Sequence, residues 1–262
     1  MTAATEATSE LAWLCRALKA PSLAAGIDRL ATRAREEGWT HEQFLAACLE
    51  REVLARQSHG GEARIKAARF PARKMLEDFD FDHQRSVRRD VIAHLGQLDF
   101  VEARDNVVFL GPPGTGKTHL SITLGVRACL AGYRVAFATA AQWVDRLGTA
   151  HAAGRLQDEL RRLGRTPLVV IDEVGYIPFD ADAANLFFQL ISSRYERASV
   201  IMSSNKPFSE WLAALADPLL AQSAIDRLQS ASWELVVEGE SYRRRQKPTL
   251  TPSDTTDKKA LR

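Results

Sequence analysis

The sequence predicts an α/β fold: a five-stranded parallel sheet flanked by helices, preceded by a small all-helical N-terminal domain. Three observations carry this. The apolar run Val107-Val108-Phe109-Leu110 leads into Gly111-Pro112-Pro113-Gly114-Thr115-Gly116-Lys117-Thr118. A second run, Leu168-Val169-Val170-Ile171, starts just after Pro167 and ends in Asp172-Glu173. Strand-like and helix-like segments then alternate as far as Val237. Continuous β-branched runs suit strands buried on both faces, and strand-helix alternation builds parallel βαβ units covered on both sides.

The N-terminal part reads as helices. Leu11, Leu14, Cys15 and Leu18 recur at i, i+3, i+4 and i+7, and Leu23, Ile27 and Leu30 continue the period after Pro21 until Gly38 ends it. Thr40 and Gln43 form a capping-box pattern leading into Phe44, Leu45, Cys48, Leu49 and Val53. That apolar stripe reads either as core or, because so small a unit has little core volume, as a docking surface. From Arg51 to Lys74 basic residues outnumber acidic ones, and His59-Gly60-Gly61 reads as a flexible break. The run is either a solvated face or a nucleic-acid contact. The domain organisation expected is therefore 1–68 as a helical partner-docking domain, 69–247 as the nucleotide-binding domain with its linker, and 248–262 as a polar, disordered tail.

After Phe70-Pro71 comes an apolar string, Leu76, Phe79 and Phe81, and then an expected helix from Asp82 to Leu98. Beyond the glycine-rich loop the expected elements are a helix to Gly132, a strand over Tyr133 to Thr139, a long helical region from Ala140 to Leu163, the acidic strand, a helix from Ala183 to Tyr195, a strand over Ser199 to Ser204, two short helices, and a fifth strand from Trp233 to Val237.

Composition narrows the class. With 45% hydrophobic residues the chain of 262 residues can form a globular core. No apolar stretch is long enough to span a bilayer, and the N-terminus carries acidic and small residues, so the expectation is a soluble cytoplasmic protein without a membrane partner. Cys15, Cys48 and Cys129 are odd in number and embedded in apolar patterns, which argues against disulfides and a zinc site. A net charge of +2 leaves any nucleic-acid binding to local clustering of charge.

The chemistry is written in the loop and the acidic strand. Glycines let successive backbone N–H groups turn inward around phosphate oxygens, Lys117 meets the β- and γ-phosphates as a point charge, and the Thr118 hydroxyl is a Mg2+ ligand. The whole stretch from Gly111 to His119 is thus the expected triphosphate cradle. At the end of the second strand, Asp172 is expected in the Mg2+ shell and Glu173 as the carboxylate that orients and polarises an attacking water. Asn205-Lys206-Pro207-Phe208 puts Phe where a guanine-reading Asp belongs, which argues for ATP over GTP. A metabolic kinase remains a rival, although one has little use for the Asp172-Glu173 pair.

The glycine loop, Val170-Ile171-Asp172-Glu173-Val174-Gly175-Tyr176, Ser204-Asn205-Lys206-Pro207-Phe208-Ser209-Glu210-Trp211 and Glu240-Ser241-Tyr242-Arg243 together resemble the IstB family, from about Leu11 to Arg243. These are AAA+ ATP-binding helpers of bacterial insertion-sequence transposition, relatives of the DnaC helicase loader. The resemblance implies an AAA+ P-loop ATPase with a truncated C-terminal lid, in which Asn205 senses the γ-phosphate or attacking water, Arg227 is an arginine finger donated to a neighbouring subunit, and Arg243 is a second sensor. It implies a homo-oligomer with ATP at subunit interfaces, duplex DNA as ligand and a transposase encoded alongside. The lid being short, the linker from Leu76 to Phe81 and a neighbouring subunit would cover the nucleotide. The insert carrying Arg146, Arg155, Arg161, Arg162 and Arg165 reads equally as a DNA grip or, with Asp145, Asp158 and Glu159 among the arginines, as an ion-paired exposed helix. A replicative helicase loader shares every catalytic residue and stays open.

Overall fold

The structure, a computed structural model, describes residues 3–175, 179–214 and 218–242. The chain divides into two compact units: residues up to Lys66 together with Cys129–Gly132, and the remainder.

In the first unit, α1 (Ala3–Ala17), α2 (Pro21–Glu37) and α3 (His41–Ala68) follow one another through tight turns. Pro21 opens α2, where its missing N–H would have had no partner anyway, and Gly38 closes it in the left-handed conformation (φ 66°). Small residues let α2 and α3 approach: a Cβ on Gly26 would fall 2.2 Å from Arg51 Nε. Arg51 Nε donates to the Ser22 carbonyl at 2.9 Å, and the Leu23 N–H to Glu52 Oε2 at 2.9 Å. Cys15 and Cys48 are buried.

One expectation fails here, and one reading left open divides. His59-Gly60-Gly61 is no break, because α3 runs through it unbroken. Glycine costs about 1 kcal/mol in a helix relative to alanine, but a Cβ on Gly61 would stand 2.9 Å from Leu130 Cδ2, so the residue is there for close approach. The stripe read along α3 also splits: Cys48 is buried, whereas Leu45, Leu49 and Val53, at i, i+4 and i+8, are 58%, 53% and 50% exposed.

The second unit begins with a linker whose Phe70 ring packs 5.7 Å from that of Phe137. A 3₁₀ turn, Leu76–Asp78, follows. The helix expected from Asp82 to Leu98 is reduced to α4 (Arg89–Leu95), followed by α5 (Asp99–Ala103). Residues 82–88 are held otherwise: Asp80 accepts the His83 N–H, Gln84 reaches the Thr115 carbonyl, and Ser86 exchanges hydrogen bonds with the Glu238 backbone. These long-range contacts hold the segment out of the helix.

The sheet consists of β1 (Asn106–Leu110), β2 (Val135–Thr139), β3 (Leu168–Val174), β4 (Ser199–Ser204) and β5 (Ser232–Val236) in the order β2-β3-β4-β1-β5. Every neighbouring pair is parallel. All carboxyl ends therefore lie on one side, and β4 stands between the strand feeding the glycine loop and the acidic strand.

Helices connect the strands: α6 (Lys117–Leu130), α7 (Ala140–Ala152), α8 (Leu156–Gly164), α9 (Ala181–Arg194), α10 (Phe208–Ala214) and α11 (Pro218–Gln229). The helical region expected from Ala140 to Leu163 consists of two helices, parted at Gly154 (φ 67°). Thr139 caps α7 in a full capping box with Gln142, and Asp180 caps α9. Val108, Val169, Ile171, Val200 and Met202 share a core with Trp143, Leu147, Phe187, Leu190 and Trp211. Alternate strand residues face the other side of the sheet.

One buried cation braces the base of this core. Arg194, 1% exposed, donates to the carbonyls of Leu163 (2.6 Å), Thr166 (2.9 Å) and Ser199 (2.7 Å), which join the end of α8 to the starts of β3 and β4. Burial pulls its pKa down to about 9, so it stays charged at neutral pH. Arg194→Ala should lower unfolding stability by about 3 kcal/mol, since several buried carbonyls lose their donor at once. Arg194→Lys should restore little of it, because one ammonium cannot span the fork. Urea midpoints of the three proteins check this.

Candidate functional site

At the carboxyl ends of β1, β3 and β4 lies a cavity of about 450 Å³, walled by the glycine loop, the linker and the acidic strand. Its floor is the loop from Pro113 to His119. Gly111, Gly114 and Gly116 all have φ in the left-handed half of the map (145°, 82° and 98°). Space requires them as well. A Cβ on Gly111 would come 1.9 Å from the Val237 carbonyl oxygen, and one on Gly116 would come 2.6 Å from Phe79 Cε2. The loop ends where α6 begins, so the first N–H groups of that helix and its positive dipole end belong to the same cradle.

Lys117 is 7% exposed and its ammonium donates to the carbonyls of Gly111 (2.6 Å) and Pro112 (2.7 Å). Beside it, Thr118 Oγ1 donates to Asp172 Oδ1 at 3.0 Å. The same carboxylate oxygen accepts from Ser203 Oγ on β4, and Ser203 Oγ in turn accepts the Glu173 N–H at 3.2 Å. A hydroxyl and a carboxylate side by side at a phosphate loop are hard oxygen donors of the kind Mg2+ takes.

Glu173 sits at an irregularity. The β3–β4 register shifts between Ile171 and Val174, and Glu173 has φ 59°. A bulge re-aims a side chain, and here the buried strand turns Glu173 out into the cavity wall. Asn205, just past β4, lines the same cavity, and its Oδ1 is buried without a hydrogen-bond partner among the described residues. An acceptor left in this state marks a place for a donor such as water. Ser204 braces that turn: its hydroxyl donates to the Val174 carbonyl and accepts from Trp211 Nε1.

The linker forms the opposite wall. Gln84 Nε2 donates to the Thr115 carbonyl at 3.1 Å, His119 Nε2 lies 2.9 Å from the Met75 carbonyl, and the Phe79 ring packs edge-on against His119. The Tyr242 N–H donates to the Gly114 carbonyl, and its ring stands 5.3 Å from that of His83.

The structure thus brings together the loop, Asp172, Glu173 and Asn205. Arg227 is elsewhere: on α11 its Nη1 donates to Ser192 Oγ at 2.7 Å and its guanidinium lies over the Phe188 ring, beside a hollow shared with Arg104 and Asn106. In the insert, Arg146 pairs with Glu159 (2.6 Å), Arg161 with Asp158 (2.6 Å) and Arg162 with Glu159 (2.8 Å). Arg155 and Arg165 are exposed and form no ion pair among the described residues. Arg243, Tyr176 and the segment where a lid would stand lie outside the described residues. Sequence reasoning missed Ser203 and Gln84. Ser203 could have been found as one of two hydroxyls that follow the apolar run Val200-Ile201-Met202 on a buried strand; Gln84 lay in a stretch read as helix and gave no signal.

A five-stranded parallel sheet in this order, with a phosphate loop after β1, paired carboxylates after β3 and a polar residue after the strand between them, defines a P-loop ATPase of the AAA+ type. The sequence profile described as IstB-like ATP binding protein matches residues 14–249, and the chain belongs to that family. It is 41% identical over 238 residues to the ATP-binding protein of insertion sequence IS21 from Pseudomonas aeruginosa, covering 91% of this chain and 90% of that one. It is 38% identical to its counterpart in insertion sequence IS5376 from Geobacillus stearothermophilus, covering 89% and 93% of the two chains. In fold it is similar to the DnaC helicase loader, with a TM-score of 0.51 at 19% identity over 67% of this chain and 99% of that one. This is an ATP-binding ATPase of the IstB-like family. Among the described residues no helix is long and apolar enough to cross a membrane.

Proposed function

We propose that this ATPase assembles on duplex DNA, with ATP at the boundaries between its own copies, and assists a transposase encoded alongside it to integrate an insertion sequence. The observation that carries the catalytic part is the meeting around one cavity of Lys117, Glu173 and an Asn205 oxygen without a hydrogen-bond partner among the described residues, with Asp172 bound to the cavity residue Thr118. The insertion-sequence names of its relatives support the biological part.

In this reading the loop from Gly111 to His119 binds the triphosphate, and Lys117 leaves its two loop carbonyls for the β- and γ-phosphates. Thr118 and Asp172 would hold Mg2+, which would neutralise charge on the phosphate oxygens. Asn205 accepts from the attacking water while Glu173 polarises it and receives its proton; as the water oxygen bonds to the γ-phosphorus, the bond from that phosphorus to the β–γ bridging oxygen breaks and ADP leaves. Arg227 acts on the ATP of a neighbouring copy, which fits its distance from the chain's own cavity, and Arg243 contacts ATP from the carboxyl side. ATP then bridges copies only while the γ-phosphate remains, so hydrolysis releases the assembly. The domain of residues 1–68 docks the transposase through the exposed stripe Leu45, Leu49 and Val53. Residues 69–247 form the ATPase domain, and 248–262, outside the described residues, a tail. A helicase loader would use the same catalytic residues. Co-purification with the adjacent gene product separates the two, a transposase favouring the first.

Glu173→Gln should bind ATP normally and hydrolyse it at least about a hundredfold more slowly, because an amide keeps the shape but cannot take the proton. A wild-type rate in a steady-state phosphate-release assay would remove Glu173 from catalysis.

Leu49→Glu combined with Val53→Glu, both at exposed positions, should leave ATP hydrolysis unchanged while abolishing stimulation of transposition in a reconstituted assay. Full stimulation by that variant would sink the docking role.

Arg227→Ala should bind ATP nearly normally yet lose much of its hydrolysis, an effect on the order of 10³ where such fingers act. Mixing it with Lys117→Ala, which lacks the phosphate-binding cation but keeps Arg227, should restore part of the activity at interfaces that pair an intact loop with an intact arginine. If the two variants co-assemble and no ratio restores hydrolysis, Arg227 does not act between copies.

A further inference from the structure

The amino ends of the strands, at the far side of the sheet from the nucleotide, carry cations that ATP chemistry leaves unused. Val135 pairs with Leu168 and Leu168 with Ser199, so β2, β3 and β4 start side by side. An arginine precedes each start: Arg134, Arg165 and Arg197, all exposed. They adjoin one another. Arg134 Nη2 donates to the Arg165 carbonyl at 2.9 Å, while Arg165 and Arg197 rim one hollow of about 540 Å³. None of the three makes an ion pair among the described residues. The charges around them include Arg161, turned to Asp158 at 2.6 Å, the exposed Glu196, whose carbonyl accepts from Arg104, and Glu102, which accepts from the Tyr133 hydroxyl next to Arg134. Gln157, Gln189 and Ser193 line the hollow with neutral polar groups.

We propose that this arginine row is a contact site for the sugar-phosphate backbone of duplex DNA. Its charge sign, its alignment and its rigidity point the same way. Neighbouring strands lie roughly 4.8 Å apart, so three starts span about 10 Å, while phosphates along one DNA strand advance about 3.4 Å of axis each. Long arginine side chains rooted along such a line can reach successive phosphates of one strand, and a guanidinium fork suits two phosphate oxygens. Rigidity comes from Arg194, which binds the carbonyls of Thr166 and Ser199 and so holds both β3 and β4 starts in place. Arg194 itself is buried and engaged with carbonyls, so it positions the row without touching DNA. Such contacts read no bases, so binding is strongly salt-dependent and indifferent to sequence. The inference rests on the DNA-binding part of the proposed function and locates it at the strand starts. Of the insert residues, only Arg165 belongs to it; Arg146 and Arg162 have carboxylate partners.

The test uses the full-length chain with ATP and fluorescently labelled duplexes of two unrelated sequences, with affinity measured by anisotropy across a salt series. Replacing Arg134, Arg165 and Arg197 together by Gln should lower affinity at least about tenfold on both duplexes, and should flatten the slope of log affinity against log salt by roughly 0.9 for each phosphate that is no longer neutralised. ATP binding, at the other end of β3, should not change. Replacing Arg146, Arg155 and Arg162 by Gln should leave the slope nearly intact. If wild type binds DNA but the row variant keeps its affinity and slope, or loses affinity for one sequence only, the row is not the site and the DNA-binding reading stands. If wild type with ATP binds neither duplex, both fall together. Should the triple variant fail to fold, as a loss of ATP binding would reveal, Arg197→Glu reads the same row. Full DNA affinity in that variant would overturn the inference.

Discussion

A carboxylate withdrawn from water needs hydrogen bonds or a cation, and Asp172, 4% exposed at the end of β3, takes hydrogen bonds from two other elements. Thr118 reaches it from the first turn of α6 and Ser203 from β4. This is possible only because β4 stands between β3 and β1, which brings three carboxyl ends together. Were β3 paired directly with β1, Ser203 could not donate to Asp172, and the Glu173 N–H would lose its acceptor, the Ser203 hydroxyl. One buried charge thereby links the sheet order, the glycine loop and the turn that carries Glu173.

The two ends of the sheet divide the labour. At the carboxyl ends the backbone is tightly specified by glycines, a bulge and hydroxyl braces, as suits a site where atoms must be held to within a fraction of an ångström. At the amino ends the exposed groups are long and flexible, and rigidity is supplied from beneath by Arg194. Seven residues of β3, about 3.3 Å each, separate the two ends. Any coupling between them has to pass along packed strands, whose parallel register leaves little freedom to slide.

Much of this was legible in the sequence where chemistry restricts the choice of residue. The glycine loop, Lys117, Thr118 and the Asp172-Glu173 pair are short-range patterns, and the strands feeding them are continuous apolar runs. What could not be read depends on distant neighbours. Gly60 and Gly61 look like a hinge until Leu130 is seen beside Gly61. Residues 82–88 read as the start of a helix, yet Gln84 and Ser86 bond to Thr115 and Glu238, far away in the chain. Leu45, Leu49 and Val53 fit an amphipathic pattern whose apolar side faces outward. Arg134, Arg165 and Arg197 are scattered cations in one dimension and become neighbours only through strand register.

Glu173 also bears on how this family could be stabilised by redesign. A left-handed backbone conformation costs a residue with a Cβ roughly 1–2 kcal/mol, and glycine or asparagine escapes most of it. An optimiser guided only by folding free energy would choose one of them at position 173 and would report an improvement. It would also erase the single carboxylate that the bulge turns toward the nucleotide cavity. The position is thus an instance in which thermostability and activity pull a side chain in opposite directions, and a consensus or ancestral library for such ATPases should hold it constant.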